Sequence, residues 1–275
     1  MTLDAPRQIR TDRSVAEVYD YGAHVWSWAL DGEPVLWTSA ESVFEQGKAL
    51  RGGVPICWPW FGPGRTGDLT PAHGFARISD WSLDGRVDVA DAEVLTYVLG
   101  PDDAPDALPG ERWRVTYVVS IGDDLDLALT VENRGATPFS YEVALHTYLT
   151  VGDVRQVAIA GLDGAPYLDK VTRAREVQSG DVTITAETDR VYDRAGEVVV
   201  TDPVLGRLLR ISTDGAANTV VWNPWVAKAA AMPDFGDGEW SGMLCIEAGN
   251  MLESAVTLEP GASRTVRYRL AVEGT

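Results

Sequence analysis

The amino-acid sequence predicts an all-β protein, built as a large antiparallel β-sandwich. Apolar and polar residues alternate with a period of two through most of the 275 residues, which is the pattern of half-buried strands. Turn residues interrupt this alternation every 8 to 15 positions or so, and helical periodicity is scarce. Many short strands in one long chain are typical of a β-sandwich or a barrel.

The clearest strands lie in the middle of the chain and near its end. Glu111–Ile121 and Asp124–Glu132 each alternate apolar with mostly polar side chains, and the alternation resumes in Phe139–Val151 after an Asn-Arg-Gly turn. The same pattern predicts further strands around Val182 and Ile184, Leu209 and Ile211, and Val266 to Val272. Together these strands predict several layers of antiparallel sheet.

The segments that depart from the strand pattern are few. Ser39–Leu50 and Val226–Met232 are each long enough for a short helical turn or two. The acidic, proline-rich segment Gly100–Gly110 is predicted to be one exposed loop rather than a boundary. Because no internal repeat and no linker divides the sequence, we expect residues 1–275 to form a single domain.

Composition and charge exclude several classes of function. The formal net charge is −18, which argues against a nucleic-acid partner, and no stretch approaches the roughly 18 apolar residues of a membrane span. The N-terminal MTLDAPRQIR lacks the apolar core of a signal peptide. Cys57 and Cys245 lie in apolar runs and are expected to be buried free thiols, which fits a reducing cytoplasm.

One stretch, residues 47–77, is positively charged in this acidic chain. It carries four cations against one carboxylate, a local charge of +3, from Lys48, Arg51, Arg65, Arg77 and Asp68. The surrounding negative field would repel an anionic ligand, so a local positive region is what such a ligand would need. The alternative is a Gly/Pro-rich crossover whose arginines are solvated.

Aromatic residues and a histidine occur in the same stretch. Trp58, Trp60 and Phe61 offer flat apolar faces, and His73 adds a titratable group. These residues would suit a small anionic ligand with apolar faces. The alternative is that the tryptophans pack in the core.

His146 lies in the predicted strand Phe139–Val151. Leu145 and Leu149 belong to its apolar face, whereas His146 shares the opposite face with small or polar neighbours. The histidine is therefore predicted to point away from the packed core. An ordinary polar position on an exposed face is the alternative.

Glu247 is an acid inside the otherwise apolar segment MLCIEAGN, residues 243–250. A buried glutamate is costly unless it is paired or used, and burial raises its proton affinity toward the range of a general base. Asp189 is a second isolated acid, just before an apolar pair, although aspartate at strand boundaries commonly caps turns. The two acids are candidates for a site that would include His146.

Eight motifs together resemble the glucose-6-phosphate 1-epimerases, which are hexose-6-phosphate mutarotases of the aldose 1-epimerase superfamily. The motifs occur in family order: RGGVPICWPWFG (51–62), AHGFAR (72–77), LHTYL (145–149), VGD (151–153), GL (161–162), DRVY (189–192), WNPW (222–225) and CIE (245–247). Each motif alone is only moderately specific, whereas the ordered set is strong.

This resemblance implies a fold, a site and a reaction. The fold is the galactose mutarotase-like sandwich, with the sugar on the concave face of one sheet. His146 and Glu247 match the catalytic pair, while Arg51, Arg77 and Asp189 match ligand-binding positions and His73 lies beside the sugar. Some members carry glutamine where this chain has Ala72, so the resemblance does not imply which hexose phosphate is preferred.

The implied reaction agrees with the chemistry of the residues. Interconversion of anomers opens the hemiacetal ring, so a base removes the C1 hydroxyl proton while an acid protonates the ring oxygen. Glutamate and histidine have reference pKa values of about 4.3 and 6.5 and can divide these roles. We assign Glu247 as base and His146 as acid, and we expect Arg51 and Arg77 to bind the phosphate and Trp58 to cover the sugar.

We expect no metal and no other cofactor, and we expect the protein to be a monomer in the cytoplasm. Three scattered histidines offer no ligand cluster for a cupin-like metal enzyme. Two alternatives remain open: a mutarotase of unphosphorylated aldoses, and a non-catalytic carbohydrate-binding sandwich. The cationic stretch disfavours the first, and the presence of His146 together with Glu247 disfavours the second.

Overall fold

The structure, a computed structural model, describes residues 1–103 and 112–274. One α-helix, α1 (Trp225–Ala230), and four short 3₁₀ segments (Ala76–Ile78, Pro101–Asp103, Glu239–Gly242 and Leu252–Ser254) accompany 22 strands in this part of the chain. The strands are β1 (Arg7–Arg10), β2 (Ser14–Tyr19), β3 (His24–Leu30), β4 (Glu33–Pro34), β5 (Ile56–Cys57), β6 (Ser82–Val89), β7 (Ala92–Leu99), β8 (Trp113–Ile121), β9 (Leu125–Asn133), β10 (Phe139–Tyr141), β11 (Val143–Leu145), β12 (Tyr148–Thr150), β13 (Ala158–Ala160), β14 (Pro166–Asp169), β15 (Arg175–Val177), β16 (Thr188–Tyr192), β17 (Glu197–Asp202), β18 (Arg207–Asp214), β19 (Asn218–Asn223), β20 (Met243–Asn250), β21 (Val256–Leu258) and β22 (Ser263–Gly274).

Two eight-stranded antiparallel sheets form the body of the protein. The first sheet has the order β15-β14-β16-β19-β20-β11-β5, and β12 also pairs with β20. The second sheet has the order β13-β17-β18-β22-β9-β8-β7-β6. A four-stranded sheet, β1 to β4, and the pair β10-β21 complete the strands of the described residues. The predicted all-β antiparallel sandwich is therefore confirmed.

The main apolar core contains side chains from both eight-stranded sheets. Leu244 and Ile246 of β20 belong to the same buried cluster as Tyr117 of β8 and Leu270 of β22. A hydrogen bond also joins the sheets, since the hydroxyl of Tyr268 donates to the backbone oxygen of Ile246 at 3.0 Å. Burial of these alternating apolar faces is the main force that holds the two sheets together.

The first sheet is covered on its other face as well. Every residue of β20 is buried, and its alternate side chains Met243 and Cys245 belong to a second apolar cluster together with Val220 and Trp222 of β19. Successive side chains of a strand point to opposite faces. Glu247 therefore shares its face with Met243 and Cys245, opposite the main core.

Most predicted strands are present, with two corrections. The predicted strand Phe139–Val151 is divided into β10, β11 and β12, and the alternation of faces continues across the breaks. Around Val182 and Ile184 the prediction is wrong, because Val182 makes a single β-bridge, to Ile159. The strands predicted around Leu209 and from Val266 to Val272 correspond to β18 and β22.

The helix and loop predictions have mixed outcomes. The helical turn predicted in Val226–Met232 corresponds to α1, whereas Ser39–Leu50 contains turns and no helix. Its backbone instead pairs with other segments, as in the hydrogen bond from the Ser39 N–H to the oxygen of Arg51. Most of the predicted loop Gly100–Gly110, and Glu111 at the start of the predicted strand, lie outside the described residues.

Residues 47–77 contribute β5 to the first sheet, where it forms the edge next to β11. The buried carboxylate of Glu142 accepts hydrogen bonds from the backbone N–H groups of Phe61 and Leu252, at 3.1 and 2.7 Å, and thereby fixes this segment. Gly74 packs so closely that a Cβ atom there would lie 2.1 Å from the backbone oxygen of Trp58. Only glycine fits this position, which sets where the neighbouring His73 lies.

Candidate active site

The register of the first sheet places His146 opposite Glu247. On β11 Leu145 pairs with Ala248, and on β12 Tyr148 pairs with Cys245, so both segments keep one register beside β20. Continuing this register through the interruption brings His146 next to Glu247. The distance between His146 Nε2 and Glu247 Oε1 is 3.3 Å. The two residues, about 100 positions apart in sequence, therefore converge as the sequence predicts.

Both members of the pair are almost fully buried. His146 is 7% exposed and Glu247 is 1% exposed, and within the described structure His146 Nδ1 and Glu247 Oε2 have no hydrogen-bond partner. Buried polar atoms without a partner are rare in proteins because they are costly. They are the atoms that a bound ligand would satisfy. Within the described part of the chain, the pair therefore keeps one unpaired polar atom on each side chain.

Burial also sets the protonation of the pair. It raises the pKa of the Glu247 carboxyl well above its usual value, and it lowers the pKa of His146 well below 6.5. The positive charges of Arg77 and Arg51 lower the His146 pKa further. In the free protein, burial therefore favours the form in which the Glu247 carboxyl is protonated and His146 is neutral.

His73 lies beside this pair. Its ring centroid is 5.7 Å from that of His146 and 4.8 Å from that of Phe61. His73 Nδ1 accepts a hydrogen bond from the backbone N–H of Gly62 and lies 3.3 Å from the sulfur of Cys57. Burial lowers the His73 pKa well below 6.5, so this ring is neutral, with its proton on Nε2. Nε2 is thus left as a donor.

The two arginines of the cationic stretch differ in their partners. Arg51 donates from Nε and Nη2 to the carboxylate of Asp234, at 2.9 to 3.3 Å, and from Nη1 to the Tyr148 hydroxyl at 2.9 Å. Arg77 donates to the backbone oxygen of Ala72 at 2.6 Å and makes no ion pair with any described carboxylate. Arg77 is therefore the less neutralised cation of this region.

Asp189 lies on β16 within the first sheet and is held by two lysines. Lys170 Nζ is 3.2 Å from Asp189 Oδ1, and Lys228 Nζ is 4.0 Å from Oδ2. Lys170 also lies over the ring of Phe61, 5.0 Å from its centroid. The negative charge of Asp189 raises the pKa of Glu247, whereas the positive charge of Lys170 lowers it, so both residues lie near Glu247. Asp189 is therefore an ion-paired residue near the pair, rather than a turn cap.

Trp58 requires a correction. Its side chain is fully buried in the main core, where it packs edge to face against Phe75 and Trp113. It therefore faces away from His146 and cannot cover a sugar in this structure. The alternative reading of the tryptophans as core residues holds for Trp58. Two other aromatic rings lie beside His146. The ring of Tyr148 stacks on it with a centroid distance of 4.8 Å, and the ring of Trp222 packs edge to face with a centroid distance of 5.9 Å.

Three residues near the pair were not predicted from the sequence: Tyr148, Asp234 and Lys170. Tyr148 follows His146 by two positions and so shares its face of the strand, which is a signal that the alternation contains. Lysine is scarce, since the chain has only three, and two of them converge on Asp189. Nothing in the sequence indicates that Asp234 pairs with Arg51, because the contact depends on how the segment after α1 folds back.

Both cysteines are buried free thiols, as predicted. Burial raises the pKa of Cys57 to about 12 and that of Cys245 well above its usual value, so both are protonated. His146, Cys245 and Glu247 hold ligand atoms within 4.8 Å of one another and form one group that could bind a metal ion. The charges of Arg77 and Lys170, which act on His146, would oppose a divalent cation there.

Comparison with known proteins agrees with this geometry. The family model described as aldose 1-epimerase matches residues 8–271. The chain belongs to the aldose 1-epimerase family.

Among its relatives, a protein from Cenchrus ciliaris is 37% identical over 269 residues, covering 93% of this chain and 80% of the relative. A protein from Escherichia coli K12 is 36% identical over 255 residues, which cover 91% of this chain and 85% of that protein. Both are named "Putative glucose-6-phosphate 1-epimerase".

Solved structures of this family share the fold. The crystal structure of a Salmonella typhimurium protein described as a "putative mutarotase" matches with a TM-score of 0.90 at 30% identity, covering 98% of this chain and 90% of that one. In the part of our chain that the structure describes, no helix is long and apolar enough to cross a membrane. The family resemblance inferred from the eight sequence motifs is thus confirmed.

Proposed function

We propose that this protein is a glucose-6-phosphate 1-epimerase, an isomerase that interconverts the α and β anomers of a hexose 6-phosphate. The observation that carries the proposal is the buried His146–Glu247 pair, 3.3 Å apart, whose charge environment includes Arg77 and Arg51. The pair can move protons on a sugar, and the arginines can bind a phosphate. The names of the relatives from Cenchrus ciliaris and Escherichia coli support the same activity.

The pair carries the proton that ring opening requires. In the reactive form, Glu247 is a carboxylate and His146 is an imidazolium. Glu247 takes the proton of the C1 hydroxyl while the C1–O5 bond breaks and His146 protonates O5. Opening therefore leaves Glu247 protonated and His146 neutral, which is the form that burial favours in the free protein. After rotation about C1–C2, the same steps run in reverse and close the ring as the other anomer.

The remaining polar groups are assigned to binding. Arg77, which has no carboxylate partner among the described residues, is the main phosphate ligand, and the N–H groups of Arg51 that Asp234 and Tyr148 leave free assist it. Charge-assisted hydrogen bonds between guanidinium and phosphate are strong and directional. His73 and Asp189 are assigned to the sugar hydroxyls.

An aldose 1-epimerase of unphosphorylated sugars is the second candidate. The acid–base pair would serve either substrate, so only the arginines separate the two. A free aldose leaves the charge of Arg77 without an anionic partner, whereas a phosphate pairs with it. A purely sugar-binding protein is disfavoured, because it has no use for a buried carboxyl group beside a buried imidazole.

Some proposals concern the protein as a whole. We take residues 1–275 as one domain, because a single apolar core includes side chains of both eight-stranded sheets. We take it to act as a monomer in the cytoplasm, where its two free thiols stay reduced. Sedimentation of the purified protein would test whether it is a monomer, and fractionation of cells would test whether it is cytoplasmic.

The activity itself is tested by following the optical rotation of freshly dissolved α-glucose 6-phosphate. We expect the protein to speed the approach to equilibrium well above the spontaneous rate, and to speed it less with free α-glucose. The Glu247→Gln variant serves as the inactive control of the same fold. Equal catalysis of both sugars would favour the free-aldose candidate, and no catalysis of either would contradict an epimerase.

A further inference from the structure

A continuous chain of contacts joins the arginines to the acid–base pair. Asp234 binds Arg51, and Arg51 Nη1 donates to the Tyr148 hydroxyl at 2.9 Å. The Tyr148 ring lies nearly parallel to the ring of His146, with an angle of 11° and a centroid distance of 4.8 Å. His146 Nε2 then faces Glu247 at 3.3 Å. An anion bound at Arg51 would therefore be two contacts away from the catalytic histidine.

The cations near His146 all act on it in the same direction. Arg77, Arg51 and Lys170 each lower its pKa. The nearby carboxylates Asp234 and Asp189 are paired with Arg51 and Lys170, and burial favours the neutral form of the remaining titratable groups around His146. Burial raises the pKa of the Tyr148 phenol, the Cys245 thiol and the Glu247 carboxyl, and it lowers the pKa of His73. The imidazolium form of His146 is therefore opposed by Arg77, which has no carboxylate partner among the described residues, and also by Arg51 and Lys170, although these two are paired with Asp234 and Asp189.

A phosphate bound at Arg77 and Arg51 would reverse this opposition. Its two negative charges would cancel the field of the two guanidinium groups, so a proton on His146 would become less costly. The proton is already available on Glu247. Moving it across the existing contact converts the resting pair into the carboxylate and imidazolium that ring opening uses, with no proton exchanged with solvent.

We propose that the phosphate group of the substrate activates the acid–base pair, by drawing the shared proton from Glu247 to His146, in addition to anchoring the sugar. This proposal rests on the proposed function and deepens it. It makes the phosphate a requirement for rate as well as for affinity. It also makes Tyr148 a positioning residue, because its hydroxyl accepts a hydrogen bond from Arg51 while its ring stacks on His146. Binding energy from a remote group is thereby used at the reacting atoms.

The decisive experiment divides the substrate into two parts. Free α-glucose supplies the ring, and inorganic phosphite supplies a dianion that can bind at the arginines. We expect saturating phosphite to raise the enzyme's kcat/KM for glucose at least about tenfold, which corresponds to one pKa unit at His146. Phosphite should not accelerate the reaction in Arg77→Ala, whereas Lys48→Met, which changes an exposed lysine of the same stretch, should respond like the wild type.

A second measurement follows the protonation state of His146 directly and does not need turnover. The chain has only three histidines, so nitrogen-15 NMR can resolve each imidazole, and His146→Asn identifies the signal of His146. We expect phosphite to shift His146 toward the imidazolium form in the wild type, and less so in Tyr148→Phe, which keeps the stacked ring but removes the bond to Arg51. His24, whose ring contacts the backbone oxygen of Gly52 and whose pKa is lowered to about 3, should stay neutral in phosphite and provides the reference signal of a neutral imidazole.

The outcomes separate this proposal from the proposed function. If the wild type isomerises glucose 6-phosphate but phosphite only competes with it and never accelerates glucose, the activation is wrong and the epimerase stands. If the wild type isomerises neither sugar, the epimerase is wrong, and the NMR titration still decides whether an anion moves the proton. An unchanged His146 signal in saturating phosphite overturns the inference in either case.

Discussion

The guanidinium of Arg51 is already bound to the carboxylate of Asp234, with Nη2 at 2.9 Å and Nε at 3.1 Å from the same oxygen. Arg51 therefore brings a compensated charge to the site, whereas Arg77 has only a backbone oxygen as its partner. The sequence gives no reason to rank the two arginines. The structure predicts that they contribute unequally to phosphate recognition.

Arg77→Ala should impair the reaction of glucose 6-phosphate more than Arg51→Ala does. A hydrogen bond to a charged group contributes about 1.5 to 3 kcal/mol, so we expect kcat/KM to fall roughly 10- to 150-fold for Arg77→Ala. The rate with free glucose should not fall. Arg65→Ala, an exposed arginine of the same stretch, is the matched control and should behave like the wild type. Equal losses with both sugars would show that Arg77 is structural.

His146→Asn and Glu247→Gln should each reduce anomerisation of both sugars to a similar extent. A positioned acid or base contributes roughly 10²- to 10⁴-fold, and the loss should appear in kcat. Polarimetry gives the rates, and circular dichroism checks that the fold is retained. If either variant kept most of its activity, the catalytic role would belong to another residue, with His73 as the nearest candidate.

Glu247→Gln should stabilise the free protein at alkaline pH. Burial raises the folded-state pKa of Glu247 above its reference value of 4.5, so the folded state holds the proton more tightly than the unfolded chain. The wild type therefore loses stability as pH rises above about 4.5, by at most about 1.4 kcal/mol per pH unit, until the folded pKa is reached. The Glu247→Gln variant does not lose stability in this way, because glutamine does not ionise.

Urea unfolding at pH 5 and pH 8 measures this effect. The difference in midpoint between Glu247→Gln and the wild type should widen from pH 5 to pH 8. A difference independent of pH would indicate that Glu247 is ionised in the folded protein at both values.

Lys170→Met should slow the reaction of both sugars at neutral pH. Its loss leaves the buried carboxylate of Asp189 with only the more distant Lys228, and it removes a positive charge that favours ionised Glu247. We expect a decrease of about tenfold and a shift of the pH–rate profile to higher pH. Lys170→Arg should restore the profile, because it retains the charge. Lys48→Met should leave both rates unchanged, and an unaltered profile in Lys170→Met would contradict the role.

Much of the fold follows from local pattern. Strands such as β8, β9, β18 and β22 alternate regularly, because one face of each packs in the core. The segment from Phe139 to Val151 alternates equally well, yet its strand is interrupted at residues 146 and 147, where one backbone hydrogen bond to β20 remains, from the N–H of Ile246 to the oxygen of Thr147 at 3.2 Å. There the N–H of His146 donates to Pro55, at 3.0 Å. Such a break depends on a neighbour about 90 positions away and has no local signal.

The site was predictable only in part, for the same reason. Glu247 is conspicuous as an acid within an apolar strand, and His146 is conspicuous by its face. Trp58 looked suitable for a sugar by composition, but whether a loop tryptophan faces the core or the cleft depends on how residues 47–77 pack. Ion pairs such as Lys170–Asp189 join separate parts of the chain, so they emerge only when the strands are assembled.

The complete burial of β20 has a consequence for how such an enzyme can change over evolutionary time. Ile246 packs in the main core and Glu247 belongs to the reaction, so neighbouring positions on one backbone serve stability and chemistry at once. A mutation that repacks Ile246 would displace the base, and few substitutions on this strand can be neutral. New sugar preferences are therefore expected to arise outside β20, at residues near the pair that belong to neither apolar cluster, such as Ala72 and His73. Laboratory libraries that seek altered specificity should concentrate there and leave the strand intact.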